Sequence, residues 1–567
     1  MRSLLDPHAL SLGEPQPPKQ VHSVSVSMPT WDSVVGWGKR EDRVVSKMQT
    51  VYPRFHIHQV LQDLGAIVRK RFDIADSHLD CMLFPSESTA QRFVLQLRAK
   101  DTGKTVEPVT FHLPDGVSTE NARWGRFVAV IYDRDLHPQA RKTWCILGDG
   151  MSSRHGEFCK DRIDIMHSRS PSPAFQTAAP NSDTTELVPA PWTDSARREK
   201  QQIKKQIAEL VTSEKPGSKR VSPDDVFLYS KGMVAINYVA RALLRTLPGS
   251  EYNGAVVYGW PYAETPKAVQ MAGFERFTLY GRGTARELDE LEALLKSGQR
   301  IRVLFCEVPC NPLLESSDLL RVRALADEYG FVVACDETLG TFVNIDLLPY
   351  ADILMTSLTK IFSGASNVMG GSVVVNPQSR HHGTIHSALK SSFEDEYFPL
   401  DAVTMSQNSS DFVPRVHHSN TIALSIANLL SSHPSVHHVH YPTMVTSAPL
   451  YEKYRRRNGG YGFLLSMIFN HATSAVCFYD ALDVRKGPSV GTNFTLAIPY
   501  AQLAHFQELE FAAEYGVDRY IVRISVGLED GEVLMERVRE ALRAVERVEG
   551  ADVGVNASAS ASPHAKL

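Results

Sequence analysis

Between Val226 and Val375 seven short apolar runs recur, VFLYS, GAVVYG, FTLY, IRVLFCE, FVVACD, DILMTS and GSVVV, separated by helix-forming stretches. The runs are apolar throughout instead of alternating with polar residues, which is the pattern of strands buried on both faces. They predict a largely parallel sheet covered by helices on either side, an α/β fold. In open sheets of this kind ligands bind beyond the carboxyl ends of the strands. The residues that follow each run are therefore the ones to read for chemistry.

Two such ends stand out. FVVACD finishes on Asp336, and DILMTS leads into Ser357, Thr359 and Lys360. A carboxylate, two hydroxyls and an amine meeting in one crevice suit pyridoxal phosphate. Its pyridinium nitrogen needs an anion, its phosphate needs donors and its aldehyde needs a lysine. Cys306 and Cys310 match no common zinc spacing and read as packing residues, and His56 and His58 read as solvated or structural histidines. No metal is expected.

The 567-residue length predicts two or three domains. Residues 1–30, rich in Pro, Ser and His, read as a disordered leader. Residues 31–165 read as an N-terminal α/β region, with helical text in HIHQVLQDLGAIVRKRF, strand-like pieces in RFVAVIYD and TWCILGD, and no evident catalytic cluster. Residues 166–195, dominated by Ser, Thr, Pro and Ala, read as a flexible linker. Residues 196–384 form the large domain, 385–549 a smaller α/β domain, and 550–567 a flexible tail.

Lys and Arg number 60 against 64 Asp and Glu, a formal charge of -4, which speaks against nucleic acid as a partner. Seven cysteines in so long a chain point to reduced thiols in an intracellular setting. No apolar run approaches the roughly 18 residues needed to cross a bilayer, and the first residues lack the core of a signal peptide. The expectation is a soluble cytosolic protein. The ending Ala-Lys-Leu, a variant of the Ser-Lys-Leu address, adds peroxisomal import as a second location.

Five motifs occur in order: YSKGMVAI at 229–236, GWPYAETP around Tyr262, CEVPCNP at 306–312, SLTK ending at Lys360, and RISVGLED at 523–530. With them the chain resembles the cysteine and methionine metabolism family of pyridoxal-phosphate enzymes, which shares the aspartate aminotransferase fold, fold type I. YPRFHIH and VVYGWPYAETPK make the fungal cystathionine γ-synthases the nearest branch. The resemblance implies that Lys360 carries the cofactor and acts as general base, and that Asp336 pairs with the pyridine nitrogen. Tyr262 would stack on the ring and move protons, and Asn311 would meet the phenolic oxygen. The phosphate would fall to Gly232, Met233, Ser357 and Thr359, with Thr338 a further cofactor contact. Lys231 replaces the family's second serine. Arg523 and Ser489 would hold the substrate carboxylate, and Tyr52 and Arg54 would reach a neighbouring subunit's phosphate, making a homodimer or homotetramer with shared sites.

The activity so implied is γ-replacement on an activated homoserine, most simply O-acetylhomoserine, with cysteine as nucleophile. Alternatives are a cystathionine lyase, an O-acetylhomoserine sulfhydrylase, and a secondary-metabolite enzyme using another nucleophile. From a different class comes a cofactor-binding regulatory protein without catalysis.

Overall fold

The computed structural model describes residues 10–560 apart from positions 51, 53, 54, 76, 100–102, 115–118, 178–191 and 247–252. The front region holds a four-stranded antiparallel sheet of β1 (Leu79–Phe84), β2 (Val106–His112), β3 (Arg126–Asp133) and β4 (His167–Arg169), in the order β1-β3-β2-β4. Its central strand, RFVAVIYD, is apolar throughout because both faces are covered. Phe127, Ala129 and Ile131 enter one core, while Val128, Val130 and Tyr132 enter another.

TWCILGD is a correction: Thr143–Leu147 lie in the helix His137–Leu147 instead of a strand. Ala140, Thr143, Trp144 and Leu147 are buried as an i, i+3, i+4, i+7 stripe, and Ile146 is buried beside them. The helix stops at Gly148, which takes φ 71°, a left-handed cap natural for glycine.

All seven apolar runs form strands of one sheet: β5 (Val226–Tyr229), β6 (Gly254–Tyr258), β7 (Arg276–Tyr280), β8 (Val303–Glu307), β9 (Val332–Asp336), β10 (Ile353–Thr356) and β11 (Gly371–Val375), in the order β5-β11-β10-β9-β8-β6-β7. Only β11 runs against the rest of this sheet. Alternate residues of β9 serve the two faces, Val333 and Cys335 one core and Val332 and Ala334 the other. The parallel register β8–β9–β10 sets Glu307 beside Asp336 and Asp336 beside Met355, so their following loops open on one edge.

The third sheet, β12 (Val436–His440), β13 (Leu464–Phe469), β14 (Arg485–Lys486), β15 (Leu496–Pro499) and β16 (Val522–Ser525), is mostly antiparallel in the order β12-β13-β16-β15-β14. Among the described residues no helix is long and apolar enough to cross a membrane.

The leader differs from expectation, because residues 10–30 are packed. Val26 and Met28 are fully buried in the core of the third sheet. The serines that made this segment look disordered bond to backbone carbonyls, Ser23 to Gln16, Ser25 to Pro488 and Ser27 to Leu10. Deleting residues 1–30 removes two such side chains at about 1.5–3 kcal/mol each. The expected result is a stability loss of about 3–6 kcal/mol, read as a lower denaturation midpoint.

The first part of the expected linker is structured too. His167–Arg169 pairs with β2, and Phe175 is buried in the front core. Positions 178–191 lie outside the described residues. The last helix runs Gly531–Ser560, beyond the expected start of the tail. Positions 561–567, with the Ala-Lys-Leu ending, and 1–9 lie outside the described residues.

Candidate active site

One large cavity opens at the carboxyl edge of the seven-stranded sheet. It brings together Tyr52, Gly232, Met233, Tyr262, Asn311, Asp336, Thr338, Ser357, Thr359, Lys360, Ser489 and Arg523. These are all the anticipated site residues except Arg54, which lies outside the described ones.

Asp336 closes the floor. Its Oδ1 accepts the Thr338 N–H at 2.9 Å. Thr338 in turn accepts the Ser357 N–H at 2.8 Å, so this threonine orients the floor and the adjoining turn together. Burial raises the Asp336 carboxyl above its ordinary range, while Thr338 and the charge of Lys360 pull the other way. A buried carboxylate needs a cation or donors to stay ionised. A protonated pyridine nitrogen is a group that would supply both.

At the phosphate end, Gly232 begins the helix Gly232–Thr246, whose first N–H groups are without helical partners. A Cβ on Gly232 would stand 2.9 Å from that of Ser357, so the close approach of the two turns requires glycine. Thr359 lines the cavity and also has a partner in the chain. Its hydroxyl donates to Gly370 O at 3.3 Å and accepts the Gly370 N–H at 3.1 Å, which holds the loop after Lys360. The donor set fits pyridoxal phosphate: anion, lysine, aromatic ring and helix N-terminus in one cavity.

Lys360 Nζ donates to Ser489 Oγ at 3.3 Å and lies 4.1 Å from the centre of the Tyr52 ring. Ser489 takes φ 98°, a conformation costly for a residue with a Cβ and characteristic of functional sites. Tyr52, expected to reach a neighbouring subunit's phosphate, lines the cavity of its own chain. Both flanks of its segment are tied down locally: Thr50 donates to Ser23 O at 2.7 Å, and His58 caps the helix Gln59–Arg71.

Tyr262 is placed by Glu307, whose carboxylate accepts the Tyr262 N–H at 2.7 Å. Burial, then the neighbouring Asp336, raises the Glu307 carboxyl well above its ordinary range. Glu337 behaves similarly. It is 1% exposed, and burial pushes it up to about 8. Its folded-state value exceeds the unfolded one, so its contribution to stability is full below about pH 4.5 and lost as pH rises through about 8. Glu337→Gln is expected to flatten that decline, checked by thermal midpoints at pH 5 and 9.

Arg523, on β16, is 5% exposed. It donates to Asn311 Oδ1 at 3.0 Å and Ser489 O at 3.1 Å, over the Tyr500 ring at 4.8 Å. Burial pushes its guanidinium down to about 10, which leaves it charged at neutral pH. Among the described residues no carboxylate forms an ion pair with it. Glu529, the obvious candidate, instead accepts from the N–H and hydroxyl of Thr495. Asn311 uses its oxygen on Arg523, so its amide N–H groups are what it offers a ligand oxygen.

The front region supplies walls that local text does not announce, namely Phe55, Trp144, Cys145 and Gly148. The one local signal is the Gly-Asp-Gly turn at 148–150, which marks a tight loop without saying what it touches. All seven cysteines are free thiols, and no group of three or more metal-ligating side chains occurs among the described residues.

The model of the Cys/Met metabolism PLP-dependent enzymes matches residues 202–543, more than half of the chain. This chain belongs to that family. Residues 60–152 match a second model, the fungal trans-sulfuration enzyme N-terminal domain, so much of the front region is a recognised unit of such enzymes.

The cystathionine gamma-synthase-like protein ankD of Aspergillus thermomutatus is 51% identical over 94% of both chains. The cystathionine gamma-synthase of Neurospora crassa is 36% identical over 94% of this chain and 98% of its own. Among solved structures, the cystathionine gamma synthase of Xanthomonas oryzae pv. oryzae, in complex with aminoacrylate and cysteine, aligns with a TM-score of 0.52 at 25% identity, over 62% of this chain and 86% of that one. The protein is a fold type I enzyme of pyridoxal phosphate.

Proposed function

We propose that the chain catalyses γ-replacement on an activated homoserine, O-acetylhomoserine, with cysteine as nucleophile and cystathionine as product. The supporting observation is the meeting of the Lys360 amine with the buried Arg523 guanidinium across Ser489, which contacts both. The guanidinium fork suits the substrate's α-carboxylate and would bring its Cα toward Lys360.

When bound, pyridoxal phosphate supplies an electron sink, held at its nitrogen by Asp336, at its ring by Tyr262, at its phosphate by Gly232, Met233 and Ser357, and at its aldehyde by Lys360. The Lys360 amine, once free, takes the proton from Cα and then helps move one from Cβ. Ser489 Oγ accepts from that amine and directs it. Tyr262 is the proton carrier for the leaving acetate or the incoming thiol. Tyr52, its ring centre 4.1 Å from the Lys360 nitrogen, covers that side of the amine against water.

A second reading, a secondary-metabolite enzyme adding another nucleophile, draws support from the outer wall. Phe55, Trp144, Leu503 and Ala504 line it, and among the described lining residues the cations are Lys231, Lys360 and Arg523. Cysteine brings a carboxylate of its own, whereas a neutral carbon or nitrogen nucleophile suits an apolar wall.

The test is to incubate O-acetylhomoserine with cysteine, sulfide, and carbon and nitrogen nucleophiles, and to identify products by mass spectrometry. Cystathionine supports the first reading. Homocysteine from sulfide alone supports the sulfhydrylase, adducts only with carbon or nitrogen nucleophiles support the second reading, and no turnover with any supports the regulatory one. We also propose a homo-oligomer in which Arg54 serves the neighbouring site. Mixing Arg54→Ala with Lys360→Ala should then restore part of the activity in the hybrids.

A further inference from the structure

Lys231 occupies the position of the family's second serine, and its side chain leaves the phosphate turn for the front region. Its carbonyl accepts the Ala235 N–H, capping the helix Gly232–Thr246. Its Nζ donates to Gly148 O at 2.7 Å and also to Gly150 O. Gly148 is pressed against the same helix, since a Cβ there would lie 2.8 Å from that of Met233. One turn on, Asn237 donates to Ile146 O at 2.8 Å. The carbonyl end of the front helix His137–Leu147 is thus held by Lys231, just before the helix Gly232–Thr246, and by Asn237 within it.

Lys231 is nevertheless part of the cavity wall, next to Gly232 and Ser357. Burial pushes its ammonium down to about 8, against the pull of Asp149 and Asp401. Those two carboxylates are engaged elsewhere, Asp149 with Arg92 at 2.7 Å and Asp401 with Arg154 at 3.0 Å. An ammonium has three N–H donors. Two are taken by the Gly148 and Gly150 carbonyls, which leaves the third, with the charge, for an anion.

We propose that Lys231 is a charged donor to the cofactor phosphate and, through its bonds to Gly148 and Gly150, the latch that makes phosphate binding and docking of the front region a single event. Coupling of this kind is reciprocal. Phosphate should tighten the front region, and a docked front region should tighten the phosphate.

The experiment uses the full-length protein stripped of cofactor, as wild type, Lys231→Met and Lys231→Ser, titrated with pyridoxal phosphate and with pyridoxal, which lacks the phosphate. Limited proteolysis of the front region is followed with and without pyridoxal phosphate. In Lys231→Met the dissociation constant for pyridoxal phosphate is expected to rise about tenfold or more while that for pyridoxal stays within about twofold, as loss of one charge-assisted contact requires. Cofactor should no longer slow cleavage of the front region. Lys231→Ser should recover part of the phosphate affinity through its hydroxyl but none of the protection, and it carries the comparison if the methionine variant does not fold. Equal weakening of both ligands would mean a purely structural lysine and overturn the proposal. So would unchanged affinity for pyridoxal phosphate in both variants.

Discussion

Lys360→Ala is expected to purify without the yellow colour of the wild type and to lose about 10⁴-fold or more in turnover, because one substitution removes both the cofactor link and the general base. The geometry makes rescue from within the site difficult. The Ser489 hydroxyl, 3.3 Å from the Lys360 nitrogen, is an alcohol far less basic than an amine. Absorbance of the purified variant and single-turnover kinetics check the two halves separately. A variant that turned over at the wild-type rate would remove Lys360 from the mechanism.

Arg523 carries the second large effect. Arg523→Ala should lower kcat/KM by about 10²–10³-fold, equivalent to ~3–4 kcal/mol for an unpaired charge. The loss should sit mainly in KM. Arg523→Lys keeps the charge and loses the fork, leaving Asn311 Oδ1 or Ser489 O without its donor, so it should recover only part of the loss. Steady-state kinetics of both variants decide the matter, and an unchanged KM in the alanine variant would take the α-carboxylate away from this residue.

Legibility followed the range of the interactions concerned. The seven strands could be read because burial on both faces writes itself into each run as unbroken apolar text, and Asp336 and Lys360 could be read because they follow such runs directly. Lys231 was visible as a departure from a motif. Its partners, Gly148 and Gly150, stand more than eighty positions earlier, where nothing in the local text refers to it. Phe55 and Trp144 were invisible as cavity wall for the same reason. The leader misled through composition, since Ser and Pro suggest disorder until distant carbonyls such as Pro488 O satisfy the hydroxyls. Thr359 had the right residue type in the right place. Its hydroxyl was claimed by Gly370, a choice between two nearby partners that sequence does not display.

The packed leader also orders events during synthesis. Gln16 donates to the carbonyl of Lys486, 470 positions downstream, and Val24 and Met28 donate to Ser366 and Lys486. These residues are synthesised long before the residues that seat them. At about 5–20 residues per second the interval is roughly 25–95 s, during which Val26 and Met28 have no core to enter. Through that interval the nascent chain exposes these apolar side chains to chaperones. The turn this segment finally grips, Lys486 to Ser489, carries the serine that contacts Lys360, so the catalytic lysine acquires its partner in the same late step that buries Val26 and Met28.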